Sequence, residues 1–128
     1  MKGTALYRFG RIVCLPIFKL LFRMRFQNRN CLPPSGRVII CCNHISLKDP
    51  VFLALAQNRQ VNFMAKAELF HNAFLAKLIT SLGAFPVHRG EKDSKAISTA
   101  ETLLQNDEVL GIFIEGTRSK DGNLLRPK

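Results

Sequence analysis

Four short apolar runs, separated by stretches of helical spacing, leave this chain few folds to choose from. Residues 37–43, 61–65 and 109–114 read as strands, the first a continuous apolar run of the kind buried on both faces. Residues 84–87 form a fourth, weakened by Pro86, which favours a sheet edge or a strand end. Asp49-Pro50 marks a helix start leading into residues 51–57, with Asp as N-cap and Pro at the first helical position. Phe74, Leu78 and Leu82 share one face of a helix over 70–82 that Gly83 stops, and 92–105 reads as another helix. Strands alternating with helices predict an α/β domain with a mixed, largely parallel sheet flanked by helices. In such sheets chemistry collects in the loops after the strands' carboxyl ends.

The 128 residues suffice for one domain with a core, and 47% hydrophobic against 22% charged residues excludes a disordered chain. Charge is distributed unevenly. Residues 1–48 hold nine Lys and Arg and no acid, whereas residues 49–128 hold ten against nine acids. On a helical wheel Leu6, Phe9, Val13, Ile17, Leu20 and Met24 share one face, with Arg8, Arg11, Lys19 and Arg23 opposite. That is the pattern of a helix lying in a bilayer interface among anionic headgroups; a core-packing helix with a solvated basic face is the alternative. The longest apolar run, residues 12–22, is eleven residues and contains Lys19, too short to span a bilayer, which takes about 20 residues. No small-residue cleavage site follows it, so a signal peptide fits poorly. Pro16 is expected to kink or split the helix. The turn-rich stretch 28–36, with Pro33-Pro34-Ser35-Gly36, divides a membrane-binding segment, 1–27, from an α/β domain, 28–128. A single Tyr, no Trp and no recognisable module argue against nucleic acid. Cys14, Cys31, Cys41 and Cys42 lack CxxC spacing, so neither a metal site nor a disulfide framework is expected, and reduced thiols suit the cytoplasm.

Three strand-to-loop junctions carry chemistry-bearing residues. After the first strand stands NHISLKD (43–49). A histidine at a strand end serves as a general base near neutral pH, and a carboxylate five residues on can reach back to fix its tautomer. No enzyme nucleophile is needed if the substrate supplies the hydroxyl. Taken alone, Asp49 reads equally as the N-cap ahead of Pro50, and His44 as a hydrogen-bonded loop residue. The strand candidate at 84–87 lies within GAFPVHR (83–89), which delivers Arg89 beside Gly90; that at 109–114 runs into FIEGTRS (113–119), with Glu115, Gly116, Thr117 and Arg118. Arginine binds phosphate through two parallel hydrogen bonds, and glycine lets backbone N–H groups approach an anion. Two such loops at neighbouring strand ends make a phosphate cradle, while each arginine alone serves as well as a solvated residue or a partner for Glu115.

In order and composition these three blocks resemble the motif series of the PlsC-like glycerolipid acyltransferase family: NHxxxxD, then G-x-x-x-x-x-R, then F-x-EGTRS. The stretch 65–70 is similar to what members carry between the first two blocks. The resemblance implies that His44 deprotonates the free hydroxyl of a lysophospholipid while Asp49 orients it. It also implies that Arg89, Glu115, Gly116, Thr117 and Arg118 bind the glycerol phosphate. The acyl donor is then a thioester of coenzyme A or acyl carrier protein, a co-substrate, with no cofactor or metal. With 1-acyl-sn-glycerol 3-phosphate as acceptor the product is phosphatidic acid, formed at the cytoplasmic membrane face by a peripheral or monotopic protein. The same chemistry on glycerol 3-phosphate or another lysophospholipid is the alternative, and a non-catalytic membrane protein or inactive fragment the rival of another class. Two departures stand out. Ile114 replaces a common Pro, and the chain stops at Arg126-Pro127-Lys128 where members continue into a fourth apolar block. The C-terminal part of the domain is therefore expected to be missing, leaving an apolar face and an unpaired sheet edge.

Overall fold

The computed structural model describes residues 4–28, 31–88 and 93–127. Four strands, β1 (Val38–Cys42), β2 (Val61–Lys66), β3 (Ala84–Val87) and β4 (Val109–Phe113), alternate with helices α1 (Ala5–Phe22), α2 (Asp49–Ala56), α3 (Ala73–Ser81) and α4 (Ser94–Gln105). The sheet order is β1-β4-β2-β3, and all three pairings are parallel, so the mixed character allowed by the sequence is absent among the described strands. The last strand thus inserts between the first two. Parallel alignment puts every strand's carboxyl end on one edge of the sheet, and the register sets Cys42 opposite Phe113 there.

Alternate residues of the central strands feed two cores. On one face Leu110 and Phe85 pack with Ala96 and Ala100 of α4; on the other Val61, Phe63 and Val109 pack against Leu53 and Ala54 of α2. Gly111 is central to the second. It pairs with Phe63, and a Cβ there would strike the Phe63 ring, so glycine is what lets that ring cross β4 and stack on Phe113, centroids 5.8 Å apart. Strand β3 is an edge, as Pro86 requires. β1 is the other edge among the described strands and alternates in exposure, with Ile39 and Cys41 exposed, whereas a run buried on both faces was expected. Its apolar run reflects a half-covered strand.

Helix boundaries shift by a few residues. A 3-10 turn, Ala67–Phe70, precedes α3, which is capped by Asn72 accepting the Leu75 N–H at 3.0 Å and stopped by Gly83 at φ 94°. α4 begins at Ser94; the expected start at 92 lies outside the described residues. In α2, Asp49 is not the N-cap. Lys48 holds that position with no side-chain cap bond, and the Asp49 carboxylate is engaged elsewhere.

α1 is one unbroken helix through Pro16, not two short ones. It packs on α2 through a face the wheel did not single out. Tyr7 is buried with its hydroxyl donating to Ala54 O (3.4 Å), Arg11 Nη2 donates to Leu55 O (3.3 Å), and Phe18 and Phe22 contact Phe52. Arg11 therefore turns toward the domain, apart from exposed Arg8, Lys19 and Arg23. The apolar stripe of Leu6, Phe9, Val13, Ile17 and Leu20 points outward, Leu20 being 82% exposed. No described helix is long and apolar enough to cross a membrane.

At the opposite edge of the sheet, Arg59 is buried and donates to the carbonyls of Pro33, Gly36 and Asp107, stitching the loops that lead toward β1 and β4. Charge-assisted bonds of this kind are among the stronger single contributions to a fold. Arg59→Ala is expected to destabilise the chain by about 3 kcal/mol in urea unfolding; a loss under about 0.5 kcal/mol, typical of a surface site, would show that these bonds are replaced by water.

Candidate active site

The in-register pairing of β1 with β4 joins the first and third motifs. Just past β1, His44 is 9% exposed and its ring stacks on Phe113, the last residue of β4, with centroids 4.2 Å apart and planes inclined by 24°. Phe113 in turn stacks on Phe63, so the imidazole caps an aromatic column rising from the core. Its Nδ1 lies 2.9 Å from Asp49 Oδ2. The same oxygen accepts the N–H groups of Ile45 and Ser46, both at 2.7 Å. With Nδ1–H directed at the carboxylate, Nε2 is the ring nitrogen left to accept a proton.

Burial acts to raise the Asp49 pKa, but the Ser46 N–H, the His44 ring and the Ile45 N–H together hold it below the ordinary carboxyl value. A depressed carboxyl contributes stability that is complete above its unfolded pKa, near 3.8, and lost as pH falls through the lower folded value. In a carbon NMR titration the Asp49 carboxyl is expected to show its midpoint below 3.8; a midpoint above that value would mean that burial outweighs the three donors.

A cleft of about 230 Å³ opens beside the pair, lined by Cys42, Asn43, Ile45, Asp49, Phe52, Leu53 and Phe113. Cys42 is a poor nucleophile there. Burial, then the charges of Cys41 and Asp49, push its thiol pKa up.

The FIEGTRS loop folds back onto the histidine. Ile114 N–H donates to Cys42 O at 3.3 Å and Ser119 N–H to His44 O at 2.7 Å, while Gly116, at φ 64°, turns its N–H to Phe113 O at 3.0 Å. Ser119 is 5% exposed, its hydroxyl donating to Asp121 Oδ1 at 2.9 Å. It was not picked out from sequence as a site residue, and only its place at the end of the motif could have suggested it. Arg118 is exposed and Thr117 half-buried. Two of the residues expected to bind the phosphate are engaged or enclosed in this conformation. The Gly116 N–H is taken within the turn and does not face an incoming anion. Glu115 is 1% exposed, and both its carboxylate oxygens are shut off from solvent with no hydrogen-bond partner among the described residues, so it does not reach an acceptor in this conformation.

Arg89 lies outside the described residues. β3, which leads to it, pairs with β2, and β2 separates it from β4, so the two arginine loops do not follow neighbouring strands as expected. At the end of β3 a second histidine–aspartate pair repeats the spacing of the first. His88 Nδ1 lies 3.0 Å from Asp93 Oδ2, and Asp93 caps α4 by accepting the Ala96 N–H. The His88 N–H, the Ala96 N–H and the His88 ring lower the Asp93 pKa to about 2. Here the histidine is exposed, with no aromatic backing among the described contacts, so spacing alone does not distinguish the two pairs.

Residues 23–128 match the Acyltransferase family, and the chain belongs to it. It is 31% identical over 117 residues to the 1-acyl-sn-glycerol-3-phosphate acyltransferase of Bacillus subtilis, which covers 91% of this chain and 59% of that protein. The enzyme of the same name from Streptococcus pneumoniae is 31% identical over 110 residues, 84% of this chain and 42% of the relative. That of Helicobacter pylori is 30% identical over 95 residues, 73% and 40% respectively. The chain spans about half the length of these curated relatives. No solved structure matches it significantly.

Proposed function

We propose that the protein is a membrane-surface O-acyltransferase that moves a fatty-acyl group from a coenzyme A or acyl-carrier-protein thioester to the free hydroxyl of 1-acyl-sn-glycerol 3-phosphate, giving phosphatidic acid. The observation that carries this reading is the His44–Asp49 pair, with Nδ1 held by the carboxylate and Asp49 itself at the wall of a largely apolar cleft. His44 Nε2 takes the hydroxyl proton as the acceptor oxygen attacks the thioester carbonyl. Asp49 stabilises the imidazolium without itself taking the proton. The tetrahedral intermediate collapses as the C–S bond breaks and the new ester remains, and the imidazolium returns its proton to the departing sulfur. Stacking on Phe113 and the Ser119–His44 backbone bond hold the ring in place, so little ordering is left to the moment of reaction. Arg118, exposed on the loop tied to His44, is assigned to the acceptor's phosphate, together with Thr117 and Arg89.

The outward stripe of α1 supports docking on an anionic membrane, with Arg8, Lys19, Arg23 and Arg25 among headgroups at the cytoplasmic face. Leu47, in the loop between His44 and Asp49, is 74% exposed and suits the same surface.

His44→Ala is expected to lower acyl transfer by orders of magnitude while leaving binding to anionic vesicles intact. Equal turnover by variant and wild type would remove the histidine from the chemistry, and a folded wild-type chain without turnover would favour a non-catalytic membrane protein. In assays over a panel of acceptors, lysophosphatidic acid is expected among the best. Arg118→Ala is expected to raise its apparent KM about 10-fold or more with less effect on the thioester. An equal effect on both substrates would contradict the phosphate role.

A further inference from the structure

The cleft beside His44 shares a wall with the helix that faces the membrane. Phe52 lines the cleft next to Asp49, and its ring also meets Phe18 at 5.8 Å and Phe22 at 5.3 Å, both edge-on. Phe18 and Phe22 lie 5.3 Å from each other. One aromatic side chain therefore belongs both to the reaction cleft and to the α1–α2 seam. On the outer side of that seam Leu20 and Leu21 are 82% and 68% exposed, and Phe22 itself 41%. Cations stand at the same end. Lys48, one residue before Asp49, holds Nζ 4.9 Å from the Phe22 ring centre, and Arg23 and Arg25 follow in the chain, exposed.

An apolar aromatic seam with positive charge at its outer end is complementary to a lipid with a hydrocarbon tail below an anionic headgroup. A nucleic acid has no use for the apolar seam. We propose that the acyl chain of the lysolipid acceptor reaches the cleft from the bilayer along the α1–α2 seam, across Phe22, Phe18 and Phe52, and that Phe52 sets how far it enters. The tail then stays in an apolar environment throughout, which avoids a cost of about 0.8 kcal/mol for each CH₂ drawn through water. Phe52 is thereby a specificity-determining residue for acceptor chain length. The inference rests on the acyltransferase reading for its substrate, but its geometry can be tested without turnover.

The chain contains no Trp, so a single indole is a clean reporter. Phe22→Trp and Phe52→Trp in the full chain, with Phe85→Trp in the α4-side core as control, are mixed with phosphatidylglycerol–phosphatidylcholine vesicles brominated on the acyl chains. Quenching is expected at both seam positions and not at the control, and unbrominated lysophosphatidic acid should relieve it at Phe52→Trp. Quenching at Phe22→Trp alone, or at neither position, overturns the passage. In parallel, Phe52→Ala is expected to shift the kcat/KM ratio of long- over short-chain lysolipids upward about tenfold, and Phe52→Trp to shift it downward. An unchanged ratio in folded variants also overturns the proposal. The two readings fail separately: quenching without any acyl transfer by the wild type sinks the enzyme and keeps the lipid passage, whereas transfer without quenching at Phe52→Trp does the reverse.

Discussion

Three donors converge on one carboxylate oxygen, Asp49 Oδ2, and the geometry of the site depends on that convergence. The His44 ring and the N–H groups of Ile45 and Ser46 close the loop between β1 and α2 around the carboxylate. The loop's curvature, the orientation of the imidazole and the start of α2 are thus set together. A carboxylate so placed is stabilised as an anion, which is what a base-orienting partner needs. On its other side the ring is held by Phe113, which rests on Phe63, which crosses β4 because Gly111 leaves room. The position of the histidine is therefore traceable to a missing Cβ in the core.

Much of this was legible in the sequence, for reasons that can be named. Each of the four runs read as strands became one, and Pro86 fixed β3 as an edge because proline cannot supply a ladder hydrogen bond. Strand order was not legible. No local pattern says that β4 inserts between β1 and β2, yet that insertion is what ties FIEGTRS to NHISLKD and leaves β2 between β3 and β4. Asp49 was ambiguous because Asp-Pro suits a helix cap and an ion pair equally, and only the fold shows the carboxylate turned back on the loop. Arg59 could not be singled out from sequence, since nothing local marks an arginine whose partners are carbonyls of distant loops. The His88–Asp93 pair has the same five-residue spacing and was not singled out from sequence, and its exposure is set by tertiary structure.

The N-terminal helix serves two surfaces with two faces. The outward stripe read from the wheel is real, but the fold is joined through a different one, where Tyr7, Arg11, Phe18 and Phe22 meet α2. The exposed apolar face of α1 and the cleft beside Asp49 are thereby held in fixed relation through Phe52. For the reaction proposed above, whose acceptor resides in a bilayer, this coupling matters as much as the proposed acid–base pair, since a well-oriented base is useless to a substrate that cannot reach it.

Which nitrogen of His44 carries the proton when the ring is neutral decides whether it can serve as the proposed base. Long-range proton–nitrogen NMR correlation of the histidine side chains, with His44→Ala for assignment, reads this directly. The expected spectrum has Nδ1 protonated, its proton shifted downfield by the Asp49 hydrogen bond, and Nε2 bare. A neutral His44 protonated at Nε2 would present a donor where the mechanism requires a base, and would contradict it.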